Sequence, residues 1–196
     1  MGGLLLGPID LLAQRTLPYP WANLANSGAV WAIGAFGIGA WVRTGRWRPA
    51  AAGAVLLLVA VESYYLAATL VQDDALSNLW TATTLLWLLF ALLAGTVFGT
   101  AGAWSRGSNR WLRIVGLALP GAVLLAEAGV LAFRSGNGDA AYRTDNLQTA
   151  AIDAALGILL APLLGRSTRQ RLEGLAASVP LAMVGFGALV VAGFGG

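Results

Sequence analysis

The sequence predicts an all-α integral membrane protein: a six-helix bundle of three tandem helical hairpins, with both termini outside. Three observations carry that reading. Charged residues occupy 11% of the 196 positions, less than half the roughly 25% of an ordinary soluble domain. Hydrophobic residues occupy 58% and mean hydropathy is +0.72, more apolar surface than a small water-exposed body can hide. The apolar residues also fall into runs of about 20, the length that crosses a hydrocarbon core of about 30 Å.

Residues 1–20 are apolar but broken by Pro8, Pro18 and Pro20, and they contain Asp10 and Arg15. Leu4–Gly7 is too short for a signal-peptide core and no basic segment precedes it. Positions 1–20 therefore read as an external, interfacial segment, part helix and part turn, ahead of a six-transmembrane-helix domain over 21–196. A charge-free run from Thr16 to Val42 holds the first span, 21–42. The second, 49–72, opens on Pro49, a residue favoured in the first helical turn, and carries one charge, Glu62. The third is charge-free at 79–104; the fourth, 111–133, contains Pro120 and Glu127. A polar loop, 134–146, leads to the fifth span at 147–165, with Asp153 inside it, and to the sixth at 172–194.

The arginines orient the spans. Arg43, Arg46, Arg48, Arg106, Arg110, Arg113, Arg166, Arg169 and Arg171 follow spans one, three and five, against Arg15, Arg134 and Arg143 on the other side. Basic loops face the cytoplasm, so both termini point outward from a bacterial plasma membrane. Asp10, Asp73, Asp74, Asp139 and Asp145 sort to the outer side and Glu173 to the inner. The same clustering explains a pI near 10 without nucleic acid. Each Arg cluster joins two spans, hence the three hairpins. The second and fourth spans also align without gaps, Arg48 to Glu62 against Arg113 to Glu127, which reads as an internal repeat. Parallel repeats of this kind occur in transporters.

The chain contains no Cys and no His, and all 12 basic residues are Arg. That excludes disulfides, thiolate and imidazole metal sites, Ser-His or Cys nucleophiles and lysine Schiff bases. No cofactor motif appears. An intramembrane enzyme would have to run on carboxylates alone, and no paired-acid metal motif lies on a helix, so the chain does not read as an enzyme.

Three acids remain inside the spans. Glu62 is 14 residues from Arg48, Glu127 is 14 from Arg113 and Asp153 is 13 from Arg166. At about 1.5 Å per residue all three sit roughly 20 Å from the cytoplasmic arginines, at one level in the outer half of the core. A carboxylate there must face the bundle interior, be paired, or hold a proton. Tyr64 and Tyr65 follow Glu62, and Tyr65 lies one turn from it. Trp31 and Trp87 lie too deep for an interfacial aromatic belt, and Asn26 sits near the outer mouth. Together these eight residues predict an outward-facing acidic and aromatic cavity that binds or transports a proton, a small cation or an amine, the last through cation–π contact. The alternative is a non-catalytic accessory or scaffold subunit that meets a membrane partner through small-residue faces such as Gly95 and Gly99.

The stretch LANSGAVWAIGAFGIGAWVRTGRWRPAAAG, with the Glu-x-Tyr-Tyr segment at Glu62–Tyr65, resembles an actinobacterial family of small multi-pass membrane proteins known only as a domain of unknown function. That resemblance implies the fold and the membrane, and brings no activity with it. In size and helix number the chain is also similar to the substrate-binding S components of vitamin transporters, whose termini are expected on the opposite side.

Overall fold

A computed structural model describes residues 2–42, 45, 47–137 and 140–194. Arg43, Arg46 and Asp139, three of the charges that orient the spans, lie outside the described residues. Among the described residues the regular structure is entirely helical: α1 (Gly2–Thr16), α2 (Trp21–Ala25), α3 (Gly28–Trp41), α4 (Arg48–Gln72), α5 (Ala82–Trp104), α6 (Arg110–Asn137), α7 (Arg143–Leu164) and α8 (Thr168–Leu189). Short helical turns cover Leu76–Trp80, Ala140–Tyr142 and Val190–Phe194. Five of these helices, α4 to α8, are long and apolar enough to cross a membrane, and α3 is a shorter apolar helix. The protein is a membrane-spanning helical protein.

Local chemistry sets the helix ends. α4 begins with Pro49 in its first turn and stops at Asp73, whose φ of 56° is a left-handed conformation that Asp tolerates better than most residues. The first predicted span is split at Asn26–Ser27. Ser27 is buried, and its Oγ accepts the N–H groups of Ala29 (3.1 Å) and Val30 (3.3 Å) to start α3, a cap worth about 1 kcal/mol. Asn109 Oδ1 caps α6 by accepting from Trp111 (3.0 Å) and Leu112 (3.2 Å). α6 then runs past 133 to Asn137, taking up residues that read as loop. Ser135 Oγ donates back to the Leu131 carbonyl at 2.8 Å, so its hydroxyl is satisfied without leaving the helix.

The chain divides into two compact units, Met1–Leu17 with Ala25–Ala103 and Pro18–Leu24 with Trp104–Gly196. The division at Ala103–Trp104 falls inside the hairpin that the arginine pattern assigns to spans three and four. The five long helices and the shorter α3 therefore group three and three rather than two by two.

In unit 1, α3, α4 and α5 meet through small residues. A Cβ added at Gly95 would stand 2.5 Å from the Gly53 carbonyl oxygen and 2.6 Å from Ala54 Cα. One added at Gly99 would strike the Pro49 carbonyl, and one at Gly39 would strike Gly99 itself. The Gly95/Gly99 ridge is thus filled from within its own unit, where it lets backbones touch. The prolines of 1–20 do not break α1, which is a continuous helix with Pro8 inside it. It runs parallel to the second half of α4, with Gly3 against the Leu56 carbonyl, Gly7 against Ala60 and Ser63, and Arg15 donating to the Val71 carbonyl at 3.2 Å. That places a guanidinium on the negative end of the α4 dipole.

In unit 2, α6 packs on both α7 and α8. A Cβ at Gly121 would lie 2.5 Å from the Gly157 carbonyl oxygen. Ser178 Oγ reaches the carbonyls of Ala118 (3.1 Å) and Gly174 (2.9 Å), and Asn23 of α2 donates to Thr149 Oγ1 at 3.2 Å. Glu173 pairs with Arg110 at 2.6 Å and Arg169 at 2.8 Å, which gathers two arginine clusters at one end of this unit.

The backbone contacts predict a sharp contrast between glycines. Gly95→Leu should destabilise the protein by about 3 kcal/mol or more, since a whole side chain must enter a backbone contact. Gly37→Ala, where nothing stands within 4 Å of the added carbon, should be neutral or gain up to about 1 kcal/mol from helix propensity. Thermal unfolding of the two variants in the same detergent checks both.

Candidate functional site

Unit 1 holds a half-open cavity of about 250 Å³. It lies between the N-terminal ends of α3 and α5 and the C-terminal half of α4, with α1 along one side. Its wall is aromatic. The Trp31 and Tyr64 rings meet edge to face with centroids 6.5 Å apart, Tyr64 and Tyr65 do so at 5.6 Å, and Trp87 and Phe90 at 5.9 Å. Leu57, Val61, Ala91 and Ala94 supply the aliphatic lining.

One carboxylate enters this wall, and it is Asp10 of α1. Its side chain is 6% exposed. Oδ2 accepts a hydrogen bond from Gln14 Nε2 at 2.9 Å, one helical turn on. The Trp31 indole also approaches the carboxyl, while Oδ1 is buried with no hydrogen-bond partner. A buried oxygen of an acidic group left in this state is costly unless something fills the place of the missing donor.

Of the residues singled out from sequence, the structure brings Asn26, Trp31, Tyr64, Tyr65 and Trp87 to this one cavity. Glu62 is not among its lining residues. It is half-buried on the face of α4 that carries exposed Val55 and Leu66, one residue round from Val61 and therefore about 100° away. Glu127 and Asp153 belong to unit 2, on α6 and α7. Asp153 is fully buried, and neither of its carboxyl oxygens has a hydrogen-bond partner. The sequence-level grouping of Glu62 with Tyr65 thus separates. The acid that accompanies the aromatic rings is Asp10, which the charge sorting assigns to the outer surface.

A signal for Asp10 was present in the sequence. Gly3, Gly7, Asp10 and Leu11 are the buried residues of α1, spaced as one stripe of a helix at i, i+4, i+7 and i+8. Pro8 masks the pattern by reading as a helix breaker.

The match to known families covers this entire architecture. Residues 1–193 fit the model of a family described as a family of unknown function, DUF6518. The chain belongs to the DUF6518 family. The resemblance to a family known only as a domain of unknown function is met at that level. No curated protein and no solved structure matches this DUF6518 chain.

The position of Asp10 depends on how α1 is fastened to α4. Ser63 Oγ lies 3.0 Å from the Gly3 carbonyl and 3.0 Å from the Ala60 carbonyl, shared between helices. Ser63→Ala should therefore cost about 1 kcal/mol. Deuterium uptake should rise across 2–16 and stay unchanged in α6 to α8, as mass-spectrometric hydrogen exchange will show.

Proposed function

We propose that this protein is a six-crossing plasma-membrane protein, its C-terminus outside, that binds a small organic cation in the unit 1 cavity and carries it across the membrane or presents it to a partner. The crossings are α3 to α8. The observation that carries the reading is Asp10: a buried carboxylate with one oxygen unpartnered, in a cavity walled by the rings of Trp31, Tyr64, Tyr65, Trp87 and Phe90. A cation placed there gains an ion pair and faces of electron-rich rings in surroundings where both act with little screening.

Size and charge narrow the class. At about 250 Å³ the cavity lies just below the usual range for drug-sized ligands. One carboxylate balances one positive charge. Among the described residues no cluster of three or more His, Cys, Asp or Glu is placed to hold a metal ion. An alkylammonium group fits this donor set better than a divalent metal. The reading is of a binding or transport protein, with no chemical step at the site.

Tetramethylammonium and sodium serve as probes on the full chain purified in detergent. Tetramethylammonium should raise the unfolding temperature more than sodium at equal ionic strength, and Asp10→Asn should weaken its apparent affinity at least about tenfold, the loss of one charge-assisted contact. Trp31→Leu should weaken it by a smaller factor, on the order of fivefold. Stabilisation should also fade as pH drops, because protons compete for the same oxygen. A shift of equal size in the Asp10→Asn variant overturns the assignment.

A further inference from the structure

A second carboxylate, remote in sequence from the cavity and inside unit 2, is unused by that reading. Asp153 lies in the middle of α7 with 0% of its surface exposed. Both Oδ1 and Oδ2 are buried without a hydrogen-bond partner. Among the described residues no cation pairs with Asp153, and on α7 itself Arg143 stands nearly three turns away. On α6 the facing acid is Glu127, close enough for its charge to act on Asp153. Arg134 stands seven residues beyond Glu127, about 10 Å farther along the axis, and does not bond to Asp153; its own Nε is buried and unpartnered. On α8 the buried side chains nearest the centre are Ser178 and Ala182, and its charges, Arg169, Arg171 and Glu173, lie in its first two turns. From α2, Asn23 engages Thr149, one turn before Asp153 on α7. Asp145, at the start of α7, is two turns away.

We infer that the Asp153–Glu127 pair is a proton-binding site, with the proton held on Asp153. The argument is one of charge and space. An ionised carboxylate with no donor, no counter-ion and a second acid beside it would meet a desolvation penalty of several kcal/mol with nothing to offset it. Zero exposure means that a water-sized sphere touches no atom of Asp153, so neither a water nor an ion as large as a water fits beside its oxygens. A proton neutralises the group and needs no volume. The Gly121–Gly157 contact one turn away keeps α6 and α7 too close to admit anything larger. This site is independent of the amine reading of unit 1.

The test is infrared spectroscopy on the full chain in lipid nanodiscs at neutral pH, in an Asp10→Asn background that silences the unit 1 acid. A protonated-carboxyl C=O band is expected, absent when Asp153→Asn is added and retained with Glu127→Gln. Asn copies the shape of the neutral acid, so that variant should fold. If it does not, ¹³C-aspartate labelling of the Asp10→Asn chain assigns the band by its isotope shift, since among the described residues the other aspartates, Asp73, Asp74 and Asp145, lie near helix ends and are not buried. Thermal stability of the Asp10→Asn chain should also fall as pH rises through and above the ordinary carboxylate range toward neutrality, and the added Asp153→Asn should flatten that slope. An absent band, a band untouched by Asp153→Asn, or one without the aspartate isotope shift overturns the proposal.

Discussion

The close backbone contact of α3, α4 and α5 at Gly39, Gly53, Gly95 and Gly99 is the constraint from which the rest of unit 1 follows. Lipid offers apolar side chains no reason to leave it, so helix association in a membrane rests on packing and on hydrogen bonds. The four glycines concentrate that packing at one end of the unit, near the C-terminal ends of α3 and α5 and the start of α4. At the other end the same helices carry Trp31, Trp87, Phe90, Tyr64 and Tyr65. Rings of that size hold the backbones apart where glycine lets them touch. The cavity is the space left by that change of side-chain volume along three helices. α1, itself seated on α4 through Gly3 and Gly7, introduces the acid into that space.

Unit 2 uses the same physics to a different end. Gly121 and Gly157 bring α6 and α7 together along the middle parts of both helices, and Ser178 ties α8 to the Ala118 carbonyl. No ring cluster opposes the contact at that level, so the packing closes over Asp153 instead of opening beside it. Each unit therefore encloses one carboxylate. In unit 1 the acid borders a cavity and has a polar neighbour in Gln14. In unit 2 it is sealed among α6, α7 and α8. The difference in surroundings is what sets the proposed cation site of unit 1 apart from the proposed proton site of unit 2.

Much of the helical frame was legible from composition and charge alone, because in lipid the backbone must satisfy itself and long apolar runs have few other choices. The second span, read as 49–72, is observed as Arg48–Gln72, bounded by Pro49 and Asp73. The third differs only in its first turns, where Thr81 caps α5 by accepting from Thr84 at 3.2 Å. The depth argument was less informative about the site. Counting residues from an arginine gives a level along the helix axis and leaves the direction around it open. Glu62 and Val61 share a level, yet one lies on the face of exposed Val55 and the other lines the cavity.

Asp10 shows why the acid of the cavity was the hardest residue to read. Charge sorting treats every acid outside an apolar run as surface, and Pro8 and Pro18 make 1–20 look like such a region. Proline ends a helix in water because it leaves a carbonyl without its N–H donor and crowds the preceding turn. Within α1 the cost is local to one turn, whereas the packing that offsets it extends along the helix through Gly3 and Gly7 against α4 and the buried Leu11, and Arg15 secures the far end on the Val71 carbonyl. Tertiary contact outweighs the local rule, and in doing so it carries a carboxylate from an expected position in water to the wall of an aromatic cavity. Phe90 carried no signal, but the other four of the five rings were visible, Trp31 and Trp87 by a depth unusual for an interfacial belt and Tyr64 and Tyr65 by their place after Glu62. Their counter-charge was not, because it arrives on a helix that exists only by virtue of what it packs against.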